Sequence, residues 1–251
     1  MIIATWNISA GINTNNYTGE FFDKSKEANT DDKCLNAIAK AIIENNIDVI
    51  ALQEVVTTPS FRYMENLSKL TGLKYHVSFE NSPCHLIENA NFGIAILSKY
   101  PISVIKKQFF ENPNLTKKTQ KGIYHTHNKG YLAAEILADQ PFKMLCASLL
   151  PFHRFDHNIL DFKHLFTEFQ EFVIQNKVYA LGDYNAIEGK PNLQKVFDQI
   201  TQTHQFLFDE ITTIDNKKCD NILLPNNIQI KNKYIVKNTD ISDHYLCIAE
   251  I

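Results

Sequence analysis

Short apolar runs that stop abruptly at a polar residue recur along this chain. Ile2 to Trp6 ends at Asn7, Asp48-Val-Ile-Ala-Leu52 ends at Gln53-Glu54, and Val178 to Leu181 passes through Gly182 into Asp183 and Asn185. Runs this short and this rich in β-branched and aromatic side chains read as buried strands. Lys74 to Phe79, Phe92 to Ser98, Ile102 to Phe109, Gly130 to Leu137, Phe142 to Leu149, Asp220 to Leu224, Ile228 to Val236 and Tyr245 to Ala249 are the other strand candidates. Helical spacing appears from Asp31 to Asn46, where Leu35, Ile38, Ala39, Ile42 and Ile43 share a face and Asp31 or Asp32 can cap. Phe61 to Leu70, closed by Gly72, Asp156 to Gln175 and Pro191 to Ile200 read as three further helices. Phe110 to Lys129 reads as a long loop. The strand, helix, strand order at both ends predicts a layered α/β architecture, and the consecutive middle strands predict antiparallel pairing.

Composition narrows the class. Apolar residues make up 44% and charged residues 21% of 251, with no linker-like stretch and no internal repeat, so one domain over residues 1–251 is expected. The formal charge of −3 offers no global attraction to a polyanion, so nucleic-acid binding would need a local patch. No apolar run is long enough to span a bilayer, and Met1 to Asn7 lacks the basic start of a signal peptide, which predicts a cytoplasmic protein without stable membrane insertion. Cys34, Cys84, Cys146, Cys219 and Cys247 are odd in number and have no metal-type spacing, as expected of reduced, mostly buried thiols.

The chemistry lies in the polar residues at the ends of the apolar runs: Asn7, Glu54, Asp183 with Asn185, Asp220, and Asp243 with His244. Each alone reads as a turn or cap. In an extended chain residues two apart share a side, which would aim Asp183 and Asn185 at one site, and Asp243 and His244 would face opposite ways. Carboxylates brought to about 4 Å repel by roughly 4 kcal/mol per pair at an effective dielectric near 20, so convergence of Glu54, Asp183 and Asp243 calls for a cation or raised pKa values. Oxygen ligands select a hard ion, Mg²⁺ with Mn²⁺ as substitute, and such ions bind substrate phosphate.

Thr5-Trp6-Asn7, Ile50-Ala-Leu-Gln-Glu54-Val, Phe92-Gly-Ile-Ala-Ile-Leu-Ser-Lys-Tyr-Pro-Ile102, Gly182-Asp-Tyr-Asn-Ala186, Asp220-Asn-Ile-Leu and Ser242-Asp-His-Tyr245 stand in the order of the endonuclease/exonuclease/phosphatase superfamily. The chain resembles that superfamily over nearly its whole length, and the wording of Gly182 to Ala186 and Ser242 to Tyr245 is similar to the deoxyribonuclease I branch. The resemblance implies a four-layer α/β/β/α sandwich with two packed mixed β-sheets and the site at one end. It implies Glu54 as principal metal ligand beside Asn7 and Asp243, and Asp183 orienting or deprotonating the attacking water. Asn185 would bond the phosphate, and His244, held by Asp220, would stabilise transition-state charge.

One position departs from the pattern. Where many members carry a second His at a strand end, this chain has Cys146-Ala-Ser-Leu-Leu-Pro-Phe-His153-Arg154, with Ser148 nearest. His153 is the candidate replacement ring, with Arg154 as an alternative phosphate contact. The loop residues Lys117, Lys118, Lys121 and Lys129, with His125 and His127, form the candidate basic patch. The expected activity is a Mg²⁺-dependent phosphodiesterase or nuclease acting, as a monomer, on DNA or RNA. The alternatives are a phosphatase or phosphodiesterase of phosphoinositides, sphingolipids or another small phosphoester, and a non-catalytic binding module of the same fold.

Overall fold

The computed structural model describes residues 1–11, 32–58, 62–84, 89–120, 122–237 and 241–251. Asp31, Phe61 and Lys121, expected in a cap, a helix start and the basic patch, lie outside the described residues. Two six-stranded mixed sheets form the centre. The first contains β1 (Ile2–Asn7), β2 (Val49–Thr57), β3 (Tyr75–Pro83), β4 (Asn91–Ser98), β13 (Asn232–Val236) and β14 (Leu246–Glu250), in the order β13-β14-β1-β2-β4-β3. The second contains β5 (Ile102–Phe109), β8 (Gly130–Ile136), β9 (Phe142–Ser148), β10 (Tyr179–Asp183), β11 (His204–Phe206) and β12 (Asp220–Pro225), in the order β11-β12-β10-β9-β8-β5.

Each sheet holds one parallel pair, and each pair needs a crossover. α1 (Asp32–Glu44) connects β1 to β2, and α3 (Thr167–Asn176) delivers the chain from β9 to β10. Pleating then sorts the side chains into three cores. Ile3, Val49, Ile96, Met144, Leu181 and Ile222 pack between the sheets. Leu35, Ile38, Ile42, Leu52 and Leu67 seal the first sheet under α1 and α2 (Tyr63–Thr71). Phe166, Phe169, Val173, Leu193 and Phe197 seal the second under α3 and α4 (Lys190–Val196). The result is the four-layer α/β/β/α sandwich expected from the sequence.

Three expectations need correction. The helix expected from Asp156 to Gln175 is α-helical only from Thr167; Phe152–Phe155 and Ile159–Phe166 are 3-10 turns. Asp156 at φ 61° breaks the first segment, and Asn158 accepts from the Leu160 N–H at 3.0 Å to start the second. Residues three apart eclipse in a 3-10 helix, so Ile159, Phe162 and Leu165 still form an apolar stripe. The loop from Phe110 to Lys129 contains a hairpin of β6 (Thr116–Thr119) and β7 (Gly122–His125). The strand expected from Ile228 begins only at Asn232, after a turn closed by Ile228 N–H to Pro225 O.

Candidate active site

The strand pairings, parallel and antiparallel, bring the polar strand ends together. Asn7 ends β1, Glu54 lies late in β2, Ser148 ends β9 and Asp183 ends β10; Asp220 opens β12, and Asp243 and His244 precede β14. Asp183 is paired in register with Ser148 on one side and Asp220 on the other. Gly182 permits this packing, because a Cβ there would lie 2.2 Å from Ala147 O.

Asp183 is the hub. It is 2% exposed and accepts from Asn7 Nδ2 at 3.1 Å, the Asn185 N–H at 3.0 Å and Asn185 Nδ2 at 3.2 Å. The pairing of Asp183 with Asn185 is therefore real, but its cause differs from the expected extended chain: Asn185 sits at φ 50°, and the carboxylate closes a turn on its backbone. Asn185 spends its other amide hydrogen on Leu149 O at 2.9 Å. Burial lifts the Asp183 carboxyl to about 6; the charges of His244 and Lys129 pull it down, and those of Asp220 and Glu54 push it up.

His244 faces Asp220, Nδ1 to Oδ2 at 2.8 Å. Burial disfavours the charged ring, but the carboxylates of Asp220 and Asp183 outweigh it and raise the His244 pKa well above its ordinary value. The backbone around the ring is tied down: Trp6 Nε1 donates to His244 O at 3.0 Å, and Ser242 Oγ accepts from His244 N–H while donating to Asn7 O at 2.6 Å. A fully buried tryptophan on β1 thus positions a histidine at the start of β14. In the sequence Trp6 figures in an apolar run and in the motif Thr5-Trp6-Asn7, with no role of its own.

Glu54 owes its direction to a bulge. Gln53 pairs with Ile94 and Val55 with Gly93, so Glu54 is the extra residue, at φ 54°. A non-glycine residue there costs about 1–2 kcal/mol, and bulges re-aim side chains at sites. The carboxylate meets Lys129, Nζ to Oε1 at 3.7 Å, and the same ammonium donates to Ser148 Oγ at 3.3 Å. Sequence reasoning placed Lys129 in the basic loop and missed it as part of the cluster; its position next to Gly130, which pairs with Ser148, is a tertiary fact. Asp243 Oδ1 is buried with no hydrogen-bond partner among the described residues, as is Asp220 Oδ1.

His153 stands apart from this net. Both ring nitrogens are buried without hydrogen-bond partners among the described residues, and burial lowers its pKa to about 4, helped by Lys217 and Arg154. Asp215 lies in the field of both His153 and His244, so the 3-10 turn flanks the cluster. Lys117, from the hairpin, pairs with Asp156 at 2.8 Å, and Lys217 with Asp215 at 2.6 Å, so acidic partners offset two cations of this flank.

Asp183, Asp220 and His244 bring ligand atoms within 4.8 Å of one another, a group able to hold a metal. The Asp220 bond to Nδ1 competes with that use, since a ring protonated on both nitrogens cannot ligate. Sandwich and strand-end cluster together define a phosphoesterase scaffold of the deoxyribonuclease I type. The family model for the Endonuclease/Exonuclease/phosphatase family matches residues 4–244, and the chain belongs to that family. Its members are in general hydrolytic phosphoesterases that depend on a divalent metal.

Among solved structures, the chain is similar to an endonuclease/exonuclease/phosphatase family protein from Leptotrichia buccalis C-1013-b, with TM-score 0.65 and 18% identity over 100% of this chain and 99% of that one. It is similar to a mannosyl-6-phosphatase from Bacteroides thetaiotaomicron VPI-5482, with TM-score 0.59 and 10% identity over 100% and 98%. It is also similar to the endonuclease domain of TRAS1, a telomere-specific non-LTR retrotransposon, with TM-score 0.56 and 11% identity over 100% and 97%. At such identities the likeness is one of fold. No curated protein sequence matches the chain. Among the described residues, no helix is long and apolar enough to cross a membrane, and Cys146, Cys219 and Cys247 are buried thiols.

Proposed function

We propose that this chain is a Mg²⁺-dependent hydrolase of phosphate esters, acting foremost as a phosphodiesterase on nucleic acid. The observation that carries the reading is the hydrogen-bonded net Asn7, Asp183, Asn185 beside the Asp220–His244 pair, buried at the ends of strands from both sheets. Such a concentration of buried polar groups has no use in a purely structural core, which argues against a non-catalytic module.

Glu54, Asn7 and Asp243 are the residues that would hold the cation. The donor set is all oxygen, and the unpartnered Asp243 Oδ1 supports the fit. Charge supports it too: with Glu54, Asp183, Asp220 and Asp243 ionised against His244 and Lys129, the cluster keeps two negative charges. When bound, the ion polarises the phosphate and neutralises charge on its oxygens. Asp183, held near the middle of the pH range, takes the proton of the attacking water. The His244 ring, kept charged by Asp220, donates to a non-bridging oxygen as negative charge builds. Asn185 fixes Asp183 and reaches a phosphate only by releasing Leu149 O or the carboxylate.

The small-phosphoester reading keeps a specific support. Lys117 and Lys217 are neutralised by acidic partners, so a long polyanion finds less positive charge on the flank than the loop sequence promises. A panel of single- and double-stranded DNA, RNA, phosphoinositides, sphingomyelin and sugar phosphates, assayed with Mg²⁺ for wild type beside Asp183→Ala, decides between them. Nucleic-acid cleavage lost in the variant is the expected result; turnover of small esters alone would move the assignment to the alternative.

A further inference from the structure

The end of β9, where the resemblance to the family leads one to expect a histidine, carries Ser148, and a serine hydroxyl cannot neutralise phosphate charge. The structure puts a different cation there. Lys129 precedes β8, and its backbone is held by Phe110 N–H on its carbonyl at 2.9 Å. Because Gly130 pairs with Ser148, the Lys129 side chain is directed across the end of β9. Its ammonium lies 3.3 Å from Ser148 Oγ and 3.7 Å from Glu54 Oε1, with its side chain 14% exposed. Among the described residues Ser148 Oγ accepts its hydrogen bond, while the Glu54 contact is an ion pair beyond hydrogen-bond length. An ammonium carries three hydrogens, so donor capacity remains for a ligand in the cleft.

We propose that Lys129 is a catalytic residue of this site: its ammonium donates to a non-bridging oxygen of the substrate phosphate, from the place Ser148 leaves uncharged. This rests on the phosphoesterase reading above. Glu54 connects the two cations. An ammonium and a divalent ion attracted to the same carboxylate repel each other, so an ion held by Glu54 would weaken the Glu54–Lys129 pair and leave the ammonium to the phosphate. Lys129 therefore opposes the metal and favours the phosphate, two effects of opposite sign that a merely structural lysine would not produce. The role asks only for a fixed positive charge.

The test uses the full chain and four variants, Lys129→Met, Lys129→Arg, Lys40→Met on the exposed face of α1, and Glu54→Gln. Calorimetry measures Mn²⁺ binding without substrate and inorganic phosphate binding with Mn²⁺ present; turnover is followed on a generic phosphodiester. Lys129→Met is expected to bind Mn²⁺ several-fold more tightly, yet to bind phosphate and turn over about tenfold more weakly, the scale of one charge-assisted hydrogen bond. Lys129→Arg is expected to recover phosphate binding, and Lys40→Met to match wild type. If Lys129→Met leaves phosphate binding and turnover within twofold of wild type, the proposal is wrong. It is equally wrong if the variant weakens Mn²⁺ and phosphate together. Should Lys129→Met fail to fold by circular dichroism, Lys129→Gln against Lys129→Arg provides the same contrast. A wild type whose Mn²⁺ binding is untouched by Glu54→Gln would refute the underlying site and the proposal with it, which separates the two failures.

Discussion

Asp220→Asn isolates the charge that holds His244, because the amide keeps the carboxylate's shape. His244 Nδ1 and Asp220 Oδ2 are 2.8 Å apart and both residues are buried. Unit charges at that separation attract by roughly 6 kcal/mol at an effective dielectric near 20. Desolvation of two ions offsets most of this, leaving about 1.5–3 kcal/mol for the charge-assisted bond. The variant's ring can shed its proton instead of remaining an unpaired charge, so the loss in stability should fall near 2 kcal/mol, toward the low end. The sign with pH follows from the raised His244 pKa. The stabilisation is fully present below the unfolded histidine value of about 6.5 and fades as pH rises through the folded value. Urea denaturation at pH 6 and pH 9 should therefore show a wider gap between wild type and Asp220→Asn at pH 6. Turnover should fall by at least about 100-fold, as when a transition-state donor is lost. A gap that is absent at pH 6 or grows toward pH 9, or turnover near that of wild type, would refute the pairing as the source of the ring's charge.

Other perturbations probe the frame around the cluster. Glu54→Ala and Glu54→Gly should both lose stabilisation by Mg²⁺ in thermal melts, and the glycine variant should be more stable than the alanine by about 1 kcal/mol, because Glu54 sits at φ 54°. Gly182→Ala should cost about 3 kcal/mol in urea denaturation, since its Cβ would meet Ala147 O at 2.2 Å. His153 and His204 are both held neutral by burial, His153 down to about 4. Their contribution is complete above the unfolded value of about 6.5 and is lost as pH falls below it, so His153→Gln should flatten the acid decline of stability between pH 6.5 and 4.

Much of this site is legible in the sequence because parallel strands place their last residues at one edge, and the apolar runs mark where those edges fall. Asn7 and Asp183 close β1 and β10, and Asp220 opens β12, antiparallel to β10, so an apolar run that starts at a polar residue marks the same edge as one that stops there. What escaped the sequence depends on contacts between distant segments. Glu54 faces Lys129 through a one-residue bulge opposite Gly93, and no local pattern announces a bulge. Lys129 looked like one of several loop lysines until the pairing of Gly130 with Ser148 set it across β9. The hairpin of β6 and β7 has strands of only four residues, its Ile123 and Tyr124 are adjacent instead of alternating, and it lacks a glycine pair at its turn, so neither alternation nor turn chemistry marks it. The long helix from Asp156 was read from apolar spacing that a 3-10 stripe satisfies equally well. The turn at Asn185 shows a correct pairing reached for the wrong reason, extended geometry standing in for a carboxylate-closed turn.

The most direct test of the central claim is Asp183→Asn, which keeps a hydrogen-bond acceptor for Asn7 and Asn185 but removes the base. Phosphodiester cleavage and Mg²⁺-linked thermal stabilisation should be measured on the same preparation. Cleavage reduced at least about 100-fold with the stabilisation retained is the expected result. Cleavage that survives the substitution, with Mg²⁺ still bound, would contradict the assignment of Asp183 and of the strand-end cluster as the active site.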